Sequence, residues 1–305
     1  MKIAILGRTH LLLAAARLVR DRGHQIVLVG TCRSENHYQA GEAEFRQFAD
    51  ECGAPFFLTP RFSQTEVELI KASGAELGLS INWLTLVPQS VIDLFPSGVL
   101  NAHAGDLPRF RGNACPNWAI LAGESRVGLC IHQMVEQLDA GDVVMREYFP
   151  LDDQTYIGDV YNWLDEQVPR MMADAVEGLA TGRLTPSPQT GEPLRVYPRR
   201  PEDGRVVWQQ SAQAVHRLIR ATSRPFDGAF STLEGQTKVT IWRASRWSDP
   251  GSFLAVPGQV MLSIEGDPVI ACGDGALRLE EVEIDGLSID ASKRMILKSL
   301  RNRLI

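Results

Sequence analysis

Apolar and polar positions follow two periods along the first half of the chain. Continuous apolar runs at Lys2–Leu6, Gln25–Val29, Pro55–Leu58, Leu77–Ser80 and Gly98–Asn101 predict strands. Between them the apolar residues recur at helical spacing, which predicts helices at Leu11–Arg22, Gly41–Cys52 and Thr65–Ser73, and a short one after Pro88. Gly23, Gly53 and Gly74 stand where such helices end, and Ser63 where the third begins. Apolar strands joined by helices on both faces predict an α/β fold built on a parallel, doubly wound sheet. Ligands of such sheets bind beyond the carboxyl ends of the strands.

Further on, the pattern predicts a helix at Ala114–Ala122, strands at Val127–Met134 and Val143–Pro150, and one long helix over Thr155–Thr181 that contains Pro169. Thr185 to Asp203 holds Pro186, Pro188, Pro193, Pro198 and Pro201 without apolar periodicity, and reads as a linker. A helix at Ser211–Ala221 then precedes short strands at Lys238–Arg243, Gly258–Ser263, Pro268–Cys272 and Ala276–Ile284. Short strands punctuated by glycine predict a small barrel. The organisation expected is a domain over 1–183, a linker over 184–203 and a barrel-like domain over 204–305.

Composition narrows the class of protein. With 305 residues, 44% hydrophobic and 22% charged, the chain has the balance of a globular protein of one or two domains. No uncharged apolar run reaches the roughly 18 residues of a membrane span, and the N-terminus lacks a signal-peptide pattern, so a cytoplasmic location is expected. Five scattered cysteines without C-x-x-C predict neither a disulfide framework nor a zinc site. Residues 204–305 carry 13 Lys and Arg against 11 Asp and Glu, leaving 18 against 26 for residues 1–203. Neither part has the basic field of a dedicated nucleic-acid binder. The first strand ends in Gly7-Arg8-Thr9-His10, so the dinucleotide fingerprint is missing, and no phosphate-loop, serine-hydrolase or zincin motif occurs.

Candidate chemistry gathers at Val99-Leu100-Asn101-Ala102-His103. Alternate residues of an extended chain point the same way, so Asn101 and His103 converge on one point at a strand's carboxyl end. An amide and an imidazole facing a common spot suit acyl transfer: both donate to an oxyanion, and the imidazole also moves a proton. Read by themselves, Asn101 also serves as a turn cap and His103 as a satisfied structural histidine. Asp139, in Leu138-Asp139-Ala140-Gly141, would favour a charged imidazole if its carboxylate reached His103. Spacing alone does not establish that contact.

Several motifs, in order, resemble the formyltransferases that use 10-formyltetrahydrofolate: Asn101-x-His103, Leu107-Pro108-x-Phe110-Arg111-Gly112, Trp118-Ala119-Ile120, Gly123-Glu124, Gly128-x-x-Ile131-His132-x-Met134 and Leu138-Asp139-x-Gly141. Asp203-Gly204-Arg205-x-x-Trp208, His216-x-x-Ile219-Arg220-Ala221, Pro225-Phe226-x-Gly228-Ala229-Phe230 and Ile270–Leu277 resemble the C-terminal domain of methionyl-tRNA formyltransferase and its amino-sugar relatives. The resemblance implies a Rossmann-like formyl-transfer domain followed by a small open β-barrel of OB-like type. It implies that Asn101 stabilises the oxyanion, that His103 is the acid/base, and that Asp139 holds the imidazole. It also implies a folate site along Thr85, Leu86 and Val87, with Asn113 near the reacting end, and along the loop Val135, Glu136, Gln137, Leu138 and Asp139. The donor is then 10-formyltetrahydrofolate, used as co-substrate, and no metal is expected.

Departures from the family pattern bear on the acceptor amine. Gly105-Asp106-Leu107-Pro108 replaces the Ser-Leu-Leu-Pro of many members and is similar to several nucleotide-sugar N-formyltransferases. Where the tRNA enzymes carry a basic insertion, Gly30–Glu42 has one Arg against two Glu, which would repel phosphate. Arg217, Arg220 and Arg224 form either a basic cluster or a set of ion pairs and solvated residues. Cys115 reads as a small buried thiol rather than a nucleophile. The pattern most resembles the formyltransferase unit that acts on UDP-4-amino-4-deoxy-L-arabinose. The expected acceptor is therefore a small-molecule amine, first a nucleotide-linked amino sugar. Initiator tRNA, a hydroxy-amino acid of a secondary-metabolite pathway, and hydrolysis of formyl-folate stay open as alternatives. Apolar Ile289, Ile296, Leu297 and Leu300 pack either internally or in a homo-oligomer.

Overall fold

The computed structural model describes residues 1–34, 39–248 and 253–305. Its elements run β1 (Lys2–Gly7), α1 (His10–Asp21), β2 (Gln25–Thr31), α2 (Glu42–Cys52), β3 (Phe56–Leu58), α3 (Gln64–Ser73), β4 (Leu77–Ile81), α4 (Gln89–Ile92) and β5 (Val99–His103). They continue with β6 (Arg111–Gly112), α5 (Cys115–Ala122), β7 (Arg126–Gln133), β8 (Val143–Pro150), α6 (Ile157–Ala180) and β9 (Arg195–Val196). The last are α7 (Ala212–Thr222), β10 (Ala229–Leu233), β11 (Thr237–Trp247), β12 (Val260–Ile264), β13 (Asp267–Ala271), β14 (Ala276–Glu283) and α8 (Ile289–Ile296). Two compact units result. One holds Met1–Gly112, Val127–Phe149 and Asn162–Val196; the other holds Asn113–Arg126, Pro150–Tyr161 and Tyr197–Ile305.

The first unit is built on a seven-stranded sheet of order β3-β2-β1-β4-β5-β7-β8. Strands β1 to β5 pair in parallel and β7 runs antiparallel to β5. This is the expected Rossmann-like sheet, and its order reverses between β1 and β4. Amphipathic α1 buries Leu12, Leu13, Ala15, Ala16 and Val19. Ser63 caps α3 by accepting from the Thr65 N–H, and Gly53 and Gly74 end α2 and α3 in the left-handed conformation. Ala4, Leu6, Leu28, Phe57, Ile70 and Val99 share one core cluster, each large side chain contributing about 1.5–3 kcal/mol by leaving water. Pro169 lies inside α6 without ending it.

Strand β5 runs past the apolar run that announced it. Pairing of Asn101 with His132, Ala102 with Ile131 and His103 with Cys130 keeps its polar end in the sheet. The segment that reads as a linker carries order as well. β9 pairs in parallel with β6, and Ser187 bridges to Val143.

In the second unit an antiparallel sheet of order β10-β11-β14-β13-β12 surrounds Trp208, Val239, Ile241, Leu277, Leu279 and Ile296. Its edges are joined by the end of the chain: Leu233 bridges to Leu304 and Gln259 to Arg303. The open barrel is thus completed by residues without strand periodicity. Helix α8 and strand β10 add to the elements expected. Ile296 is buried in this core, whereas Ile289 and Leu300 are exposed. Arg220 and Arg224 are engaged rather than free: Arg220 donates to the Asp152 and Thr155 carbonyls, and Arg224 pairs with Glu281. No helix among the described residues is long and apolar enough to cross a membrane.

Candidate active site

The site is assembled at the end of β5, within the first unit. Asn101 and His103 project to one face of the sheet, and the antiparallel register sets His132 of β7 opposite Asn101. Asp139 arrives from the turn after β7, with φ of 50°. Gln189, from the proline-rich segment, fixes that turn: its Nε2 donates to the Asp139 and Gly141 carbonyls, each at 2.8 Å. Gln189 Oε1 in turn accepts from Arg111 Nη2 at 2.7 Å. The turn also needs a glycine, because a Cβ on Gly141 would stand 1.9 Å from the Gln133 carbonyl oxygen.

The structure brings His103 and Asp139 together. His103 Nδ1 lies 3.5 Å from Asp139 Oδ2, which also accepts from the Gly112 N–H at 2.8 Å. His103 Nε2 donates to the Phe110 carbonyl at 2.7 Å. Both side chains are buried, so little water screens the pair. Gly105 makes room for this ring; a Cβ there would stand 2.6 Å from His103 Nε2 and 2.5 Å from the Phe110 oxygen. A side chain at position 105 would therefore collide with this ring or with the Phe110 carbonyl.

Asn101 is held by a residue to which the sequence assigned no role. Its Nδ2 donates to His132 Nε2 at 3.1 Å, while His132 Nδ1 donates to the Gln133 carbonyl at 2.8 Å. Burial of His132, reinforced by the neighbouring His103, pushes its pKa down to about 4. The ring is then neutral at neutral pH, with its proton on Nδ1 and a lone pair on Nε2. Only the NH2 of Asn101 can face that lone pair. The amide orientation is fixed, and the second N–H is directed elsewhere. The signal for this role was the antiparallel register, which one sequence does not disclose.

The segments assigned to folate flank an apolar surface. Leu86 is 65% exposed and Val135 is 40% exposed, whereas Val87 is buried. The Glu136 N–H donates to Gln89 Oε1 at 3.0 Å, which ties the Val135–Leu138 loop to the start of α4. Thr85 Oγ1 donates to the Pro60 carbonyl, and Gln137 is exposed. Exposed aliphatic side chains beside backbone polar groups suit a flat heteroaromatic ring. Asn113 is exposed and belongs to the second unit. Cys115 is buried. In the Gly30–Glu42 stretch, Glu42 accepts from the Ser34 N–H and Oγ; Glu35 to Tyr38 lie outside the described residues. No group of His, Cys, Asp and Glu among the described residues is placed to hold a metal ion.

Comparisons with known proteins agree with this architecture. HypX from Aquifex aeolicus is similar at 22% identity over 92% of the chain, with a TM-score of 0.61. The chain spans 45% of that protein's length. WlaRD, a sugar 3N-formyltransferase solved in the presence of dTDP and 5-N-formyl-THF, is similar at 14% identity with a TM-score of 0.66, over 94% of this chain and 99% of WlaRD. An N-formyltransferase from Helicobacter canadensis, solved with folinic acid and dTDP-3-aminofucose, is similar at 14% identity with a TM-score of 0.65, over 92% of this chain and 98% of that one. The formyl transferase family matches residues 1–176, and the formyl transferase C-terminal domain matches residues 199–296. The chain belongs to the formyl transferase family.

Proposed function

We propose that this formyltransferase moves a formyl group from 10-formyltetrahydrofolate to the primary amine of a nucleotide-linked amino sugar. In this reading residues 1–183 form the formyl-transfer domain, 184–203 the linker that supplies Gln189 to the Asp139 turn, and 204–305 a C-terminal barrel-like domain. The observation that carries it is the meeting of Asn101, His103 and Asp139 at the end of β5, with His103 Nδ1 3.5 Å from the Asp139 carboxylate. The exposed aliphatic surface of Leu86 and Val135 supports a pterin ring there.

Each side chain has one task. The free-base amine attacks the formyl carbon, and the carbonyl oxygen becomes negative. Asn101, its orientation fixed by His132, donates its second N–H to that oxygen. When the amine displaces the Phe110 carbonyl, the ring proton resides on Nδ1 facing the Asp139 carboxylate, so that Nε2 has a free lone pair, takes the amine's proton and passes it to the departing folate nitrogen. Asp139 orients the ring and stabilises its charged state.

The amino-sugar acceptor is supported by the glycine at position 105 and by the lack of a basic Gly30–Glu42 stretch. The dTDP-bound sugar formyltransferases of the same fold support it too. The test is donor-dependent formylation across nucleotide-linked amino sugars, charged initiator tRNA and hydroxyornithine-like amines. Transfer to an amino sugar supports the reading; transfer to tRNA alone, or formate release with no amine needed, overturns it.

A further inference from the structure

The proline-rich segment reaches the candidate site through one side chain, Gln189. Backbone bonds anchor the segment on either side of that residue. The Ser187 N–H donates to the Val143 carbonyl at 3.0 Å, and the Val143 N–H donates back to the Ser187 carbonyl at 2.9 Å. Further on, the Arg111 N–H donates to the Leu194 carbonyl at 2.9 Å, where β6 pairs with β9. That pairing is close, since a Cβ on Gly112 would stand 2.1 Å from the Val196 oxygen. Gln189 therefore sits in a short span with both ends fixed, half-buried between exposed Pro188 and Thr190.

Its amide is fully used. Nε2 gives its two N–H bonds to the Asp139 and Gly141 carbonyls, each at 2.8 Å, and Oε1 accepts from Arg111 Nε at 3.2 Å and Nη2 at 2.7 Å. A guanidinium has no acceptor, so only the amide oxygen can face it, and Arg111 fixes which way round the amide lies. The charge of Arg111 is thereby met by a neutral oxygen. The Asp139 carboxylate is left to His103 and to the Gly112 N–H.

Asp139 needs such support. At φ of 50° it holds the left-handed conformation, which a residue with a side chain keeps only where its surroundings impose it. The two carbonyls tied by Gln189 fix the backbone on both sides of Ala140. Strand β6 thus grips Asp139 twice, at the carboxylate through the Gly112 N–H and at the backbone through Arg111 and Gln189. We propose that Gln189 is a positioning residue for formyl transfer: its two donations hold the Asp139 turn in the conformation that keeps the carboxylate beside His103, and Arg111 aligns the amide for that task. The proposal rests on the reading of Asn101, His103 and Asp139 given above. It adds a residue that lies between the two family domains and acts only through Asp139.

The test is steady-state formyl transfer by Gln189→Leu, Gln189→Glu, Asp139→Asn and the two double variants, with melting temperatures read on the same samples. Gln189→Leu is expected to lower kcat about tenfold or more, the equivalent of one or two hydrogen bonds. The KM for the formyl donor is expected to hold, because the Glu136 N–H still ties the Val135–Leu138 loop to Gln89. Gln189→Glu keeps an oxygen for Arg111 but has no N–H to give at neutral pH, so it is expected to be as slow as Gln189→Leu. It also keeps the Arg111 contact and so keeps the test valid if Gln189→Leu fails to fold. On the Asp139→Asn background either change at position 189 is expected to cost no more than about twofold further, because a residue that acts through Asp139 has nothing left to align. Wild-type kcat in Gln189→Glu, or equal fold losses on the two backgrounds, overturns the proposal. Transfer by Asp139→Asn at the wild-type rate is a separate result: it refutes the reading of the site, and the proposal with it.

Discussion

Asn101 and His132 face each other across β5 and β7, with the amide nitrogen of one 3.1 Å from Nε2 of the other. In the proposed mechanism this contact makes His132 a positioning residue that acts through Asn101. His132→Leu removes the acceptor and frees the amide to turn its oxygen toward the reacting group. We expect kcat to fall about tenfold, the equivalent of one hydrogen bond, with the KM for the formyl donor unchanged. His132→Gln retains an acceptor and is expected to recover part of kcat. Equal kcat in the two variants would leave His132 only a packing role.

Gly105 is expected to be intolerant of any side chain. In Gly105→Ala the new Cβ displaces the His103 ring or the Phe110 carbonyl, both of which lie under 3 Å from it. If the ring moves the proton as proposed, a shift of about 1 Å costs on the order of 100-fold in rate. Steady-state kinetics on the folded variant check this, with melting temperature to separate a local shift from a global loss.

Acid is expected to destabilise the fold through two buried histidines. His132 and His216 are both pushed from 6.5 down to about 4, chiefly by burial. Between those values the unfolded chain binds protons that the folded chain does not, so stability rises with pH across that window. The contribution is present above pH 6.5 and is lost as pH falls toward 4, at a scale on the order of 3 kcal/mol per histidine. Urea midpoints at pH 7.5, 6 and 5 should decline in that order. His216→Phe is expected to flatten the slope.

Ionic strength separates acceptor classes. Binding that neutralises many phosphates falls steeply with salt, whereas a diphosphate engages few cations. The apparent KM of the acceptor amine is therefore expected to change little between low and physiological salt. A steep rise would point to a polynucleotide acceptor.

Much of the fold was legible because local signals agreed with one another. Apolar runs bounded by Gly23, Gly53 and Gly74 gave the parallel strands and their helices, and β8 lies at Val143–Pro150 as read. What stayed hidden depends on pairing between distant residues. Strand β5 reaches His103 because β7, some thirty residues on, supplies its partners. Gln189 lies in a run of prolines without periodicity, yet it binds the backbone on both sides of Ala140. The residues at 302–305 have no strand pattern, and they join the barrel's edges because β10 and β12 leave unpaired backbone there. In the site, Asn101 and His103 were legible from two-residue spacing. The contact of Asp139 with His103 did not follow from spacing, and the place of His132 depends on the β5–β7 register.

The account turns on His103 as the group that moves the proton. Its most direct test is single-turnover formyl transfer from 10-formyltetrahydrofolate by the wild type and by His103→Ala, with donor affinity measured on the same samples. The prediction is a fall in transfer rate of about 10²- to 10⁴-fold with donor affinity retained. Transfer at close to the wild-type rate in His103→Ala would contradict it.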